Sequence, residues 1–313
     1  MVFFTNLPKI EGSIWINSDP IEELEAKVIL VDFFTYSCVN CIRTIPHLVQ
    51  LHKNYKDLGL QIIGVHTPEF EFEKDVENVK KALKKLKINW PVVIDNDNAL
   101  WQAFGNKYWP TKYIANENKK IVYSHFGEGS YLETENEIRL LLGLDQISKE
   151  DFKLDDPLEI NFCVKPTPET YLGYYRGKPQ QDEELVYDMP YNFARPENLE
   201  ADRFSLSGQF NLKAEFVESV NFQSSLILSF TATEVNLVVL PVGEECKIKI
   251  QLDGQDLTPK QRGKDVDTES YLTVLESRMY NLVKSKEGLT GALTLTPQEG
   301  NFRAFAFTFS GCN

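Results

Sequence analysis

At 313 residues the chain is long enough for two domains of ordinary size and too short for three large ones. Its 42% hydrophobic and 25% charged residues are globular composition and exclude wholesale disorder. The formal charge of −13, divided as 17 − 21 = −4 over residues 1–150 and 16 − 25 = −9 over the remainder, leaves no basic module, so nucleic acid and anionic membrane are not expected partners.

The longest apolar run, Val28–Phe34, is broken by Asp32 and is far short of the ~20 residues that span a bilayer. Residues 1–8 carry neither a basic start nor a small-residue cleavage site, so no export signal is read. As given, the chain reads as cytoplasmic with no transmembrane segment. As a piece trimmed from a longer anchored protein it would read as extracytoplasmic. The five cysteines, Cys38, Cys41, Cys163, Cys246 and Cys312, are too few and odd in number for a disulfide scaffold. Two stand three apart, as a redox or metal pair does; the other three read as small buried hydrophobes.

Over residues 27–145 strand and helix patterns alternate. The run 28–34 has strand length and is apolar on both faces, as in a sheet covered on both sides. Residues 41–58 read as a helix, with Ile45, Leu48, Leu51, His52 and Tyr55 near a 3.6 period and Gly59 ending it. A strand follows at 60–65. A helix is expected over 73–87, with Val76, Val79, Leu83 and Leu86 on one stripe and its lysines on a solvated face. Strands at 92–94, 112–115 and 119–124, the last two joined by a turn at 116–118, lead to a final helix at 134–142. The pattern predicts an α/β sandwich around a mixed sheet for residues 1–145.

Residues 146–204 carry Asp156-Pro157, Lys165-Pro166, Thr167-Pro168, Lys178-Pro179, Met189-Pro190 and Arg195-Pro196. Proline at this density breaks helices and central strands, which predicts an extended connector on the surface. From 205 to 313 the helical period disappears and short β-prone runs recur, at 226–232, 235–240, 247–252, 271–274, 279–283, 292–296 and 302–309. Phe305, Phe307 and Phe309 alternate there with Ala304, Ala306 and Thr308. Asp253-Gly254 signals a tight turn. Many short antiparallel strands predict an all-β sandwich or jelly roll.

The chemistry concentrates at Cys38-Val-Asn-Cys41, after a buried strand and at the start of a helix. Free N–H groups and the positive end of the helix dipole face a sulfur at that position, which favours a thiolate. Cys41, one turn on, is on the same face. A zinc half-site completed by His47 and His52 is the metal alternative, but Cys-x2-Cys-x5-His-x4-His is not a usual zinc spacing, and no metal is expected. Asp32 interrupts an apolar strand six residues before Cys38. A buried carboxylate tends to hold a proton, and a group that gives and takes one beside Cys41 suits a resolving thiol. Its bland alternative is a strand-end aspartate bonded to backbone.

These residues resemble thioredoxin-fold proteins: Val28–Phe34 with Asp32, the Cys38–Cys41 motif, Pro46 in the following helix, and Trp109-Pro110-Thr111 before a strand. The stretches 34–47, 64–73 (Gly-Val-His-Thr-Pro-Glu-Phe-Glu-Phe-Glu), 125–129 and 167–174 are similar to the soluble part of DipZ-type proteins within the TlpA-like redoxin branch. That likeness covers nearly the whole chain. It implies that Cys38 attacks, Cys41 resolves, Asp32 relays a proton, the Trp109–Pro110 bond is cis, and the second domain is like a carbohydrate-binding module. Ser37 and Val39-Asn40 depart from the usual tryptophan and Gly-Pro around the first cysteine, so partner choice and redox potential do not carry over.

Trp109 would flank the dithiol if Pro110 is cis, and Glu69 in Thr67-Pro68-Glu69 is a further substrate-binding candidate; a solvated loop acid is its alternative. The chain thus reads as a dithiol oxidoreductase that exchanges electrons with client protein thiols and disulfides and with a donor or acceptor protein. No cofactor beyond the Cys38–Cys41 disulfide is expected. One rival is a thiol peroxidase, since Thr35-x-x-Cys38 matches part of the peroxiredoxin pattern, although Val31 stands where that pattern has proline. The other is a β-sandwich that binds a glycan or protein, with the redox site as its regulator.

Overall fold

β2 (Val28–Phe34) lies inside the first sheet with all seven residues buried, flanked in parallel by β3 (Leu60–His66) and in antiparallel by β5 (Thr111–Asn116). The computed structural model describes residues 6–21, 23–154 and 164–311. By compactness the chain divides after Leu158. In the first unit the sheet order is β1-β4-β3-β2-β5-β6, with β1 Trp15–Ile16, β4 Val92–Ile94 and β6 Ile121–Phe126. Period-2 alternation sends Val28, Leu30 and Phe34 into one core with α1 (Val39–Tyr55), α2 (Val76–Lys85) and α4 (Tyr131–Leu141). Ile29, Val31 and Phe33 enter another, with Leu100 of α3 (Ala99–Ala103), Trp101 and Ile10. Each β2 side chain is therefore covered, which is why the strand reads as a continuous apolar run.

Two boundaries differ from expectation for local reasons. The expected helix over 73–87 is two elements: a 3-10 turn at Glu71–Lys74, then α2, whose first amides are capped by Asp75 accepting from Glu77 and Asn78 N–H. Glu73 is thereby removed from the solvated face and buried. α3 escapes the periodicity because it is five residues long; Asp95 accepts from the Leu100 and Trp101 amides at 2.9 and 3.0 Å. Gly59 ends α1 and its 3-10 extension (Lys56–Leu58) at φ 114°, a left-handed stop.

The second unit is all-β. Its strands are β7 Thr170–Tyr171, β8 Pro190–Phe193, β9 Phe204–Leu212, β10 Val217–Ser219, β11 Ser225–Leu252, β12 Gln255–Asp256, β13 Tyr271–Val274 and β14 Arg278–Ser310. β11 and β14 are long, bent strands that pair repeatedly, so that Leu237 lies between Tyr280 and Phe307. One continuous core, including Leu228, Phe230, Leu237, Leu295, Phe302 and Phe307, fills the fold. Asp253 and Gly254 both take positive φ, 49° and 75°, in the two-residue turn between β11 and β12.

Two readings are corrected here. Residues 146–204 are not simply a surface connector: from Pro166 onward the chain supplies β7 and β8, and Leu172 and Phe193 are buried in the second core. Proline is compatible with this because Pro190 opens its strand at the sheet edge. The strict alternation expected at 302–309 fails at Phe305. Val238 pairs with Ala306 and Val239 with Ala304, so Phe305 sits in a bulge and packs on Phe216 at 5.2 Å. Among the described residues no helix is long and apolar enough to cross a membrane.

Candidate active site

β2 ends at Phe34, and the next four residues carry the chain to the first turn of α1. Cys38 is the N-cap (φ −76°, ψ 119°), and its Sγ accepts the Cys41 N–H at 3.2 Å. The sulfur thus stands where a serine or aspartate oxygen commonly satisfies a free helix amide. Both residues are free thiols, and they differ in access: Cys38 is partly exposed while Cys41 is 1% exposed. Burial pushes the Cys41 thiol well up, and the hydrogen bond and charge of Cys38 push the same way. An accessible sulfur is thus followed by one that resists ionising.

Asp32 is buried in β2, and its cross-strand neighbour in β5 is Lys112. Both are 1% exposed, and Lys112 Nζ lies 3.6 Å from Asp32 Oδ1. Burial raises the Asp32 carboxyl from 3.8 to about 6, with Lys112 opposing the rise. The Asp32 charge in turn bears on Cys41 and raises its thiol further. A carboxyl that changes protonation near neutral pH thus bears on the less accessible of the two thiols.

Glu73 holds the loop between β2 and α1 in place. It is fully buried, and its Oε1 accepts the Thr35 hydroxyl at 2.5 Å and the Ser37 hydroxyl at 2.6 Å. Oε2 accepts the Glu69 and Phe70 amides at 2.6 and 2.9 Å. Burial raises the Glu73 carboxyl, and the Ser37 and Thr35 hydroxyls resist. One carboxylate thus ties the loop before Cys38 to the loop after β3. Glu69 contributes its backbone to this clamp and is half-buried. His66, stacked on Tyr36 at 5.7 Å, is driven down to about 3 by burial and so is neutral behind the loop.

The Trp109–Pro110 bond is cis. Thr111 opens β5 opposite Phe33, so register places residues 109–110 at the same sheet end as the Cys38 loop. Trp109 is half-buried against the same core as Cys38, donates its indole N–H to the Thr67 carbonyl at 3.1 Å, and packs on Trp101 with ring centroids 4.2 Å apart and the planes tilted by 36°. Pro110 is buried, and its carbonyl accepts the Gly127 N–H at 2.7 Å. Glu128 faces Arg43 of α1, 3.4 Å away. His47 and His52 do not converge on the cysteines: His47 lies 3.7 Å from Glu135 and His52 packs on Trp90. Cys246 is buried in the second unit, and burial pushes its thiol up to about 12. Cys163 and Cys312 lie outside the described residues.

Lys112 and Glu73 were not singled out from the sequence. Lys112 had a usable signal: a lone cation in the apolar strand Thr111-Lys-Tyr-Ile-Ala115, needing only the antiparallel register to meet Asp32. Glu73 had none, since it shares an acidic run with Glu69, Glu71 and Asp75 whose members are solvated or capping.

Comparison with known proteins follows the same division. Residues 8–124 match the AhpC/TSA family, and residues 167–310 match the thioredoxin like C-terminal domain. Protein DipZ from Mycobacterium tuberculosis is 36% identical over 268 residues, 80% of this chain and 37% of that protein. NHL repeat-containing protein 2 from Homo sapiens is 41% identical over 124 residues, 38% of this chain and 17% of its own length. Thiol-disulfide oxidoreductase YkuV from Bacillus subtilis is 29% identical over 126 residues, 39% of this chain and 83% of YkuV. The chain spans little more than a third of the DipZ protein it matches. On these matches the chain is similar to DipZ over most of its length, with a thioredoxin-like domain that matches the AhpC/TSA family followed by an all-β domain that matches the thioredoxin like C-terminal domain.

Proposed function

We propose that the chain is a thiol–disulfide oxidoreductase that works through Cys38 and Cys41 on client protein disulfides or thiols. The observation that carries this is the unequal pair at the start of α1: an accessible Cys38 sulfur bonded to the Cys41 amide, and a buried Cys41 thiol under the influence of Asp32. In the reducing direction the Cys38 thiolate attacks a client S–S bond, forming a mixed disulfide and expelling one client thiolate. Cys41 gives its proton to Asp32, and its thiolate attacks the Cys38 sulfur. The mixed disulfide breaks, the second client thiolate leaves, and two electrons have passed from the dithiol to the client. Run backwards, the same steps oxidise a client.

In this reading Asp32 relays the proton, Lys112 keeps its carboxyl from rising further, and Glu73 fixes the loop that presents Cys38. Trp109 and Pro110 border the site at the sheet end where a client strand would lie, and Glu69 acts through its amide in the Glu73 clamp. A peroxidase is disfavoured because the Thr35 hydroxyl, which that chemistry would aim at peroxide, donates to Glu73 instead. The deciding experiment is insulin-disulfide reduction with Cys38→Ser and Cys41→Ser. The first should abolish reaction with disulfides, and the second should accumulate mixed disulfides at Cys38. Turnover unchanged in both variants would exclude the proposal.

A further inference from the structure

Next to the reaction path lies a buried set of ionisable side chains that the exchange steps leave unused. His47 of α1 and Glu135 of α4 are each 2% exposed, with Nε2 and Oε2 3.7 Å apart. The other Glu135 oxygen accepts the Tyr55 hydroxyl at 2.5 Å, and that hydroxyl accepts Arg139 Nη1 at 2.8 Å. At the inner end stands Lys112, 3.6 Å from Asp32, with its charge bearing on His47 as well. Asp32 and Lys112, on β2 and β5, thus form one buried pair, and His47 and Glu135, on α1 and α4, form a second that Tyr55 extends to half-buried Arg139, the Lys112 charge linking the two pairs into a row. Burying unpaired charge costs several kcal/mol, so such a row persists only where its members compensate one another.

We propose that His47 and Glu135 are positioning residues which act through Lys112 to govern proton exchange between Asp32 and Cys41; this rests on the disulfide-exchange reading above. Two carboxylates and two cations balance along the row, with a neutral imidazole between them. Burial lowers the proton affinity of His47 and Lys112 adds to it, against Glu135. Burial also opposes the Glu135 charge, but His47, Tyr55 and Arg139 outweigh it and hold that carboxyl below its usual range.

The groups that face each member are few. Asp32 faces Lys112 from β5 and Cys41 from α1. His47 faces Glu135 and the Tyr131 ring from α4, the latter at 5.0 Å, Lys112 from β5, and the Phe152 ring. Glu135 faces His47 and Tyr55 from α1 and Arg139 on its own helix. Neutralising Glu135 leaves Lys112 and Arg139 opposed only by Asp32, which favours the Asp32 carboxylate and moves its titration to lower pH. Neutralising Arg139 moves it the other way.

The test is a carboxyl-carbon NMR titration of Asp32 in the reduced full chain carrying labelled aspartate, alongside the pH profile of mixed-disulfide resolution. Glu135→Gln should lower both midpoints, and Arg139→Gln should raise them. Glu135→Gln added to Asp32→Asn should shift the resolution profile no further than Asp32→Asn alone. Midpoints unchanged in both variants, or moving in the same direction, would overturn the proposal, since a packing defect has no reason to give opposite signs. Disulfide formation in the wild-type samples, read separately by alkylation, shows whether the exchange reading itself has failed.

Discussion

Asp32 is costly to bury, and the cost appears in the titration of its carboxyl. Its carboxyl sits at about 6 in the folded chain against 3.8 as the ordinary value. The folded state therefore binds the proton more tightly, and this contribution to stability is complete below pH 4 and lost as pH rises through 6. A difference of that size is about 3 kcal/mol. Asp32→Asn should accordingly gain on the wild type by up to that amount between pH 4 and pH 7, measured as the difference in urea unfolding free energy at the two pH values. A constant difference between the two proteins across that range would show that Asp32 has an ordinary carboxyl. In exchange assays the same substitution should slow resolution more than attack, because in the proposed mechanism only Cys41 gives up its proton to the carboxyl.

At the scale of elements, the loop from β2 into α1 depends on the Glu73 side chain, 38 residues beyond Thr35. Glu73→Ala would leave the Thr35 and Ser37 hydroxyls and two loop amides without their acceptor, in a place water does not reach. We expect a loss of about 2–5 kcal/mol in urea unfolding, with Glu73→Gln losing less because it keeps an acceptor oxygen. Equal, negligible losses would show that the clamp contributes nothing. In the second unit, Gly208 takes φ 82° and an added Cβ would meet the Gln223 carbonyl oxygen at 2.6 Å. Gly208→Ala should therefore cost about 2 kcal/mol or more in thermal or urea unfolding.

These elements also mark where the sequence could and could not be read. β2, α1 and β3 were legible because continuous apolar runs and a 3.6 period survive burial, and the Cys38 pair was legible because of the strand before it and the helix after it. Glu73 was not, because its partners are hydroxyls and amides brought to it by tertiary structure, and acidic runs look alike whether solvated or buried. β7 and β8 were hidden by the prolines around them, Pro166 and Pro168 ahead of β7 and Pro190 at the start of β8, where a sheet edge tolerates it. β11 and β14 read as several short strands because each bends and bulges repeatedly; the pairing was within reach of the pattern, the continuity was not.

At the scale of the molecule, every hydrogen bond and ion pair named around Cys38, Asp32 and Glu73 is made within residues 32–73 and 109–128, all in the first unit. The second unit has its own closed core. Residues 1–158 expressed alone should then fold cooperatively and keep the redox pair, and residues 159–313 should fold without it. Circular dichroism melts and thiol alkylation of the two pieces would show this, and an unfolded first piece would contradict it.

The most direct test of the whole account is a redox titration of the full chain in glutathione buffers, with alkylated thiols identified by mass spectrometry at each step. The account predicts one two-electron transition in which Cys38 and Cys41 lose their thiols together while Cys163, Cys246 and Cys312 stay free. In Cys41→Ser, glutathione should remain attached to Cys38. A transition that pairs any other cysteines, or none at all between strongly reducing and strongly oxidising buffers, would contradict it.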